Sequence, residues 1–276
     1  MPQPFMKPAG QEPAVTPTQL AEFNQNGYLV LRGALKNEPG FTNLIDELER
    51  YAQTFAADFK LSRPESVLSL ALEQRRTLYC GLRYLPSLYR LVSDPALLSV
   101  SRALGLGFPG IELFNNIRMD LPGEDRYLFQ WHQDISYNLG SVNGLTYWVP
   151  LSKTGPDHGG IEVIPGSHKR GLWPCKVVNP DHKAGLLSTR DIVITEEPQS
   201  PPTAIETEFG DAVVFSQRLL HRSLSNRSDD IRWTVQIRHT DFMEPYFRRA
   251  SFPMGDTMTL DKTTYLQEWT DDQGEP

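Results

Sequence analysis

The sequence predicts a mainly β domain with helices, an antiparallel double sheet with an N-terminal helical layer packed outside it. Two observations predict this. Up to about residue 106, apolar residues recur at three- and four-residue steps in segments bounded by helix-capping residues. From about Ile111 onward the pattern changes to short apolar or alternating runs separated by Gly, Pro, Asn and Asp, the signature of strands and turns. Strands that follow a block of helices favour helices gathered on one side of an antiparallel sheet.

The elements follow in order. Thr16-Pro17-Thr18-Gln19 combines an N-cap, a proline at the first helical position and a glutamine three residues after the cap; the helix carries Leu20 and Phe23 and closes at Gly27. Phe41, Leu44, Ile45, Leu48, Tyr51, Ala52 and Phe55 share one face of a second helix, whose other face is charged. Ser62 to Glu65 reads as a capping box ahead of Val67, Leu68 and Leu72, and Asp94-Pro95 opens a helix that runs to Gly105. The expected strands are Ile111–Met119, Leu145–Leu151, Ile161–Pro165, Asp211–Phe215 and Ile231–His239. With no internal repeat or long linker, the expected organisation is a flexible N-terminal segment (1–15) followed by a single domain (16–270). That domain comprises a helical part at about 16–106, a strand-rich core at about 107–242 and a C-terminal extension at about 243–270, before a frayed tail at 271–276.

Composition narrows the partners. The chain has 276 residues, 39% hydrophobic and 22% charged, enough apolar content to bury a core. A formal charge of -7 argues against nucleic acid and against anionic membrane surfaces, both of which need a basic face. No stretch approaches the roughly 20 apolar residues of a membrane span. Met1 to Pro17 lacks a basic start and an apolar run, so it does not read as a signal peptide. Cys80 and Cys175 have no metal or redox spacing and read as ordinary thiols in a reducing compartment. A cytoplasmic protein is expected, and the sequence defines no oligomeric state.

The densest chemical signal is Gln130-Trp131-His132-Gln133-Asp134. Residues two apart in an extended segment point the same way, so His132 and Asp134 can offer an imidazole and a carboxylate to one point. His221, just beyond the apolar run Ala212 to Phe215, can return to that point from a strand end. Two His and one carboxylate on one face of a metal leave the other face open, as in non-haem Fe(II) oxygenases. A His-x-Asp alone arises by chance, and a strand-end histidine is commonly a surface residue; the weight rests on their combination with Arg232. In Ile231 to Arg238, Ile231, Trp233, Val235 and Ile237 alternate with Arg232, Thr234, Gln236 and Arg238. A solvent-facing edge has this pattern, and so does a barrel mouth where a guanidinium grips a carboxylate through two parallel hydrogen bonds.

Taken in order, His132-Gln133-Asp134, the run Gly159-Gly160-Ile161-Glu162-Val163-Ile164-Pro165-Gly166-Ser167-His168-Lys169, Gly210 to Phe215, His221-Arg222-Ser223 and Arg232 resemble the motif string of the phytanoyl-CoA dioxygenase family. The resemblance spans roughly Ile111 to His239. It implies a double-stranded β-helix, or cupin-like jelly roll, around one iron site. It implies His132, Asp134 and His221 as catalytic iron ligands, and Arg232 with Ser223 binding the far carboxylate of 2-oxoglutarate. Gln133, Thr146 and Trp148 would line the co-substrate pocket. Asn116, Arg118, Tyr137, Asn138 and Arg238 flank the motifs as substrate contacts.

The implied cofactor is Fe(II), with 2-oxoglutarate and O2 as co-substrates. The implied reaction is hydroxylation of a small polar metabolite, with succinate and CO2 as co-products. Related iron halogenases replace the carboxylate ligand by a small residue, so Asp134 favours an oxygenase outcome. The polar residues Tyr137, Asn138 and Asn143 and the arginines Arg248 and Arg249 point to a polar or anionic substrate. Two alternatives are a non-oxygenase cupin-like metalloenzyme and a catalytically silent metabolite-binding barrel. Arg232 and Ser223 argue against the first, and the intact ligand trio against the second. The remaining histidines, His158, His168, His182 and His239, read as turn or loop residues or lack a partner pattern.

Overall fold

The structure is a computed structural model that describes residues 14–63, 65–125, 128–177, 192–256 and 269–270. Most of the segment 1–15, the middle of the Leu172 to Pro202 insert, His182 and the tail 271–276 lie outside the described residues.

The chain opens with α1 (Pro17–Asn26), capped as the sequence predicts: Gln19 N–H donates to Thr16 Oγ1, and Thr16 N–H donates back to Gln19 Oε1. Gly27 ends it in the left-handed region at φ 82°. Next come β1 (Tyr28–Leu31), α2 (Pro39–Gln53), α3 (Glu65–Leu68), α4 (Leu72–Leu82), α5 (Pro86–Val92) and α6 (Pro95–Ala103). Asp94 caps α6 by accepting from Ala96 N–H. The expected helix after Ser62 is a single turn, and α4 starts separately at Leu72, with the Gln74 side chain accepting from Ala71 N–H.

The strands are β2 (Pro109–Ile111), β3 (Asn116–Asp120), β4 (Asn138–Leu139), β5 (Leu145–Pro150), β6 (Ile161–Val163), β7 (Cys175–Val177), β8 (Ile192–Ile194), β9 (Thr203–Ile205), β10 (Ala212–Ser216), β11 (His221–Ser223) and β12 (Arg232–Asp241). The last described elements are α7 (Pro245–Arg249) and β13 (Gly255–Asp256). One antiparallel sheet has the order β1-β10-β5-β12-β2, with β3 also on β12; a second is β11-β6-β9, and β13-β4 and β7-β8 are two-stranded pairs. The expected strand Ile111–Met119 is two strands, because the chain turns at Glu112 to Asn115, where Asn115 Nδ2–H donates to Glu112 O.

Period-two alternation assigns the large sheet's two faces. Leu145, Tyr147, Val149, Ala212, Val214, Trp233, Val235 and Ile237 join the helices in one core. Trp148, Val213 and Phe215 face the opposite way and pack on Ile161, Val163 and Ile205 of the small sheet. The alternate residues of β12, Arg232, Thr234 and Arg238, are buried on that inner side. The arginine-bearing face therefore lines the barrel interior. Among the described residues, no helix is long and apolar enough to cross a membrane.

Candidate metal and co-substrate site

His132 and His221 meet through the backbone. Each N–H donates to the other's carbonyl at 3.1 Å, an isolated antiparallel bridge that places both side chains on one face. The chain is extended through Gln133 and then enters a 3-10 turn, Asp134–Ser136, which swings the carboxylate beside the imidazoles. His132 Nε2 and His221 Nε2 lie 3.6 and 3.7 Å from Asp134 Oδ1. All three residues are buried, and among the described residues they form the group arranged to hold a metal ion.

Surrounding hydrogen bonds fix each donor atom. His132 Nδ1–H donates to Gln130 O at 2.7 Å and His221 Nδ1–H to Leu219 O at 3.0 Å, in the tautomer that turns both Nε2 lone pairs toward Asp134. Thr146 Oγ1–H and Arg238 Nε–H donate to Asp134 Oδ2 at 2.6 and 3.3 Å. Oδ1 is thereby the oxygen left facing the imidazoles. Burial would raise the Asp134 carboxyl, but Arg238 and the two imidazoles outweigh it and hold it well below the usual carboxylate range. Burial, reinforced by His132, pushes His221 down to about 3, so it is neutral at pH 7, as metal binding requires.

Deeper in the barrel, Arg118 donates to Asp120 Oδ1 at 2.6 Å and Arg232 pairs with Asp120 Oδ2 at 2.5 Å. Burial pushes Arg232 down to about 10 against the pull of Asp120, so both guanidiniums stay charged at pH 7. Two buried cations meet at this one carboxylate. Arg232 Nε, Thr234 Oγ1 and Asn116 Oδ1 are buried there without a hydrogen-bond partner. A guanidinium with an unpartnered N–H beside an unpartnered hydroxyl suits the carboxylate of a small dianion. Trp148 lies under Arg232, 5.6 Å from ring centre to guanidinium. Ser223, two residues after His221 on β11, shares that histidine's face.

Several expected contacts have other partners. Gln133 lies between two residues that share a face, so it points away from the metal group. Its amide donates to Gly171 O and Arg218 O and accepts from Trp173 N–H, clamping loops instead of lining the co-substrate pocket. Thr146 faces inward but holds Asp134. Arg238, expected to touch substrate, has its guanidinium on Asp134, Phe114 O and Gln236 Oε1. Arg118, expected likewise, is engaged with Asp120 and lies over the Phe129 ring at 5.0 Å. Asn143 donates to Gly105 O and Asp241 Oδ2.

Tyr137 stands edge-on to His132 and Phe129, each at 5.2 Å between ring centres. Asn138 is buried in β4, paired with β13. His168 packs against Gly27, and His239 bridges Ser101 and Val92 O in the helix-side core. Asp120 was not anticipated, although the Arg118-x-Asp120 spacing on one strand face is its signal.

A sequence model of the family described as phytanoyl-CoA dioxygenase (PhyH) matches residues 23–234. A probable phytanoyl-CoA dioxygenase of Caenorhabditis elegans is 22% identical over 241 residues, covering 79% of this chain and 73% of its own. An ectoine dioxygenase of Sphingopyxis alaskensis is 25% identical over 227 residues, covering 77% and 71%. Among solved structures, the α-ketoglutarate-dependent carbocyclase SnoK of nogalamycin biosynthesis superposes with a TM-score of 0.56 at 17% identity, over 90% of this chain and 96% of that one. The epimerase SnoN, in complex with Fe3+, α-ketoglutarate and nogalamycin RO, gives 0.55 at 17% identity, over 81% and 82%.

Proposed function

Because the chain belongs to the phytanoyl-CoA dioxygenase family of Fe(II)- and 2-oxoglutarate-dependent oxygenases, we propose that His132, Asp134 and His221 hold its iron and that it hydroxylates a small polar metabolite. The observation that carries the reading is the convergence of two tautomer-locked imidazoles and one carboxylate oxygen on a single buried point. When bound, Fe(II) with 2-oxoglutarate and O2 supplies the oxidising chemistry, with succinate and CO2 as co-products.

The chain's own residues bind and orient. Arg232, steadied by Asp120 and Trp148, receives the far carboxylate of 2-oxoglutarate, with Ser223 beside it and Arg118 supplying the second cation. Thr146 and Arg238 hold the second oxygen of Asp134, so its other oxygen would be the one to hold the metal. Phe129 and Tyr137 wall His132 with aromatic surface that excludes water. Asn116, with its unpartnered Oδ1, is the polar group assigned here to meet a substrate, and Tyr137, whose hydroxyl donates to Ile192 O, stands beside His132. The buried cation pair speaks against a non-oxygenase cupin-like enzyme, and the locked ligand trio against a silent binding barrel.

The test is a screen of polar metabolites scored by succinate release, followed by mass spectrometry under 18O2. Hydroxylation predicts one labelled oxygen in product and one in succinate. Labelled succinate with unlabelled product would overturn hydroxylation in favour of an outcome without oxygen insertion, such as epimerisation or ring closure.

A further inference from the structure

Behind the metal group lies a buried acidic residue with no part in the site described above. Glu112 follows β2 and is 3% exposed; Gln217 follows β10 and is 0% exposed. Gln217 Nε2–H donates to Glu112 Oε1 at 2.7 Å. Glu112 Oε2 and Gln217 Oε1 are both buried and both without a hydrogen-bond partner. Two acceptor oxygens left over from one amide–carboxyl contact have a simple resolution. A proton on Glu112 Oε2, donated to Gln217 Oε1, would close a cyclic acid–amide pair and satisfy both.

The pair is packed in from both sides. A Cβ on Gly140 would lie 2.4 Å from Glu112 Oε1, and one on Gly144 would lie 2.6 Å from Gln217 Oε1. The backbones that carry the pair are tied to the residue after Asp134 and to Arg238. Gln217 O accepts from Ile135 N–H, the residue after Asp134. Glu112 N–H donates to Arg238 O, and Asn115 links Glu112 O to Arg238 N–H. Arg238 in turn donates to Asp134 Oδ2.

We propose that Glu112 is a positioning residue for the metal carboxylate, held as a neutral acid in a cyclic pair with Gln217 that keeps Arg238 on Asp134. This rests on the reading of His132, Asp134 and His221 as the metal ligands. Protonation also follows from the surroundings: burial, with Asp134 adding, pushes the Glu112 carboxyl up to about 7, against the hydrogen bond from Gln217 and the charge of Arg238. The charged groups facing it are Arg238 from β12 and Asp134 from the 3-10 turn; its other close neighbours, Gln217, Thr240 and Gly140, carry no charge. Ionised, Glu112 loses its donor to Gln217 and competes with Asp134 for Arg238.

Two measurements test this, on full-length protein. Infrared difference spectra of the metal-free protein, from about pH 5 to about pH 9 to bracket an elevated carboxyl, are expected to show an acid-carbonyl band that disappears with rising pH and is absent from Glu112→Gln. Mn(II) affinity, read with a redox-stable occupant of the same ligand set, is expected to be retained by Glu112→Gln, which can form an amide–amide ring. It should fall about 10–100-fold in Glu112→Ala and in Gln217→Met, the range for groups that orient a metal ligand. Wild type should also show a change in Mn(II) affinity through about pH 7 that Glu112→Gln lacks. An acid band unaltered by Glu112→Gln, or wild-type Mn(II) affinity in Gln217→Met, overturns the proposal. The infrared result involves no metal, so failure of the oxygenase reading leaves it standing and the two failures are distinguishable.

Discussion

Asp134 shows how much of this site is decided by groups that never touch the metal. Its Oδ2 is held by Thr146 and Arg238, and those two bonds leave Oδ1 to the imidazoles. Replacing Arg238 by Met keeps the length of the side chain and removes the charge, so metal affinity is expected to drop about 10–100-fold, measured by anaerobic Fe(II) titration. Thr146→Val is nearly isosteric and removes a single hydrogen bond, so it is expected to weaken Fe(II) binding by less than Arg238→Met in the same titration. At this scale the sequence was informative wherever chemistry sits at fixed spacing. His132, Asp134, His221 and Arg232 stand in an ordered string, and the structure brings the first three together. Partner choice was not legible: Arg238 and Arg118 look like free cations in one dimension, but Asp134 and Asp120 claim them through pairings across strands. Gln133 looked like a pocket residue for the same reason, because its amide partners at Gly171, Trp173 and Arg218 are distant in the chain.

Elements were legible where both ends and a face are signalled. The capping box at Thr16 and Gln19 and the glycine at 27 define α1, and the strict alternation of β12 separates an apolar face from an arginine face. Thr16→Ala is expected to cost about 1 kcal/mol, seen as a lower denaturant midpoint. Gly27→Ala should cost more: φ is 82°, and the added Cβ would lie 2.4 Å from His168 Nδ1. The left-handed penalty alone is roughly 1–2 kcal/mol, and crowding His168 adds to it. Unsignalled elements were missed. β1, Tyr-Leu-Val-Leu, is too short to show a period, and becomes a strand by pairing along β10. α4 buries only Leu78 and Leu82 and carries no strong apolar stripe. His221 was expected at the end of the strand before it; it begins β11 instead, held by pairing with β6 and by the bridge to His132.

For the whole molecule, the two faces of the large sheet divide the work: helices cover one, and the other closes on the small sheet around the charged interior. That division was visible in the change of period near Ile111, but the closure of the barrel depends on pairings no local pattern encodes. Burying titratable groups on both faces makes stability depend on pH. Burial lowers His168 to about 4 and His221 to about 3, and it also lowers His239. A lowered histidine contributes stability above its unfolded value of 6.5, and that contribution is lost as pH falls toward the folded value. Glu112 acts in the opposite sense: its contribution is full below the unfolded value of 4.5 and lost as pH rises through about 7. With three such histidines set against Glu112, thermal melts of the metal-free protein should fall on acidification below about pH 6.5, and His168→Gln should flatten that slope. The central claim, that His132, Asp134 and His221 hold an iron whose 2-oxoglutarate partner is gripped by Arg232, is tested most directly by anaerobic titration with Fe(II) and 2-oxoglutarate. The account predicts the visible charge-transfer band of the chelate in wild type, its loss in Asp134→Ala, and its weakening in Arg232→Ala through poorer 2-oxoglutarate affinity. No band in wild type at saturating iron and 2-oxoglutarate would contradict it.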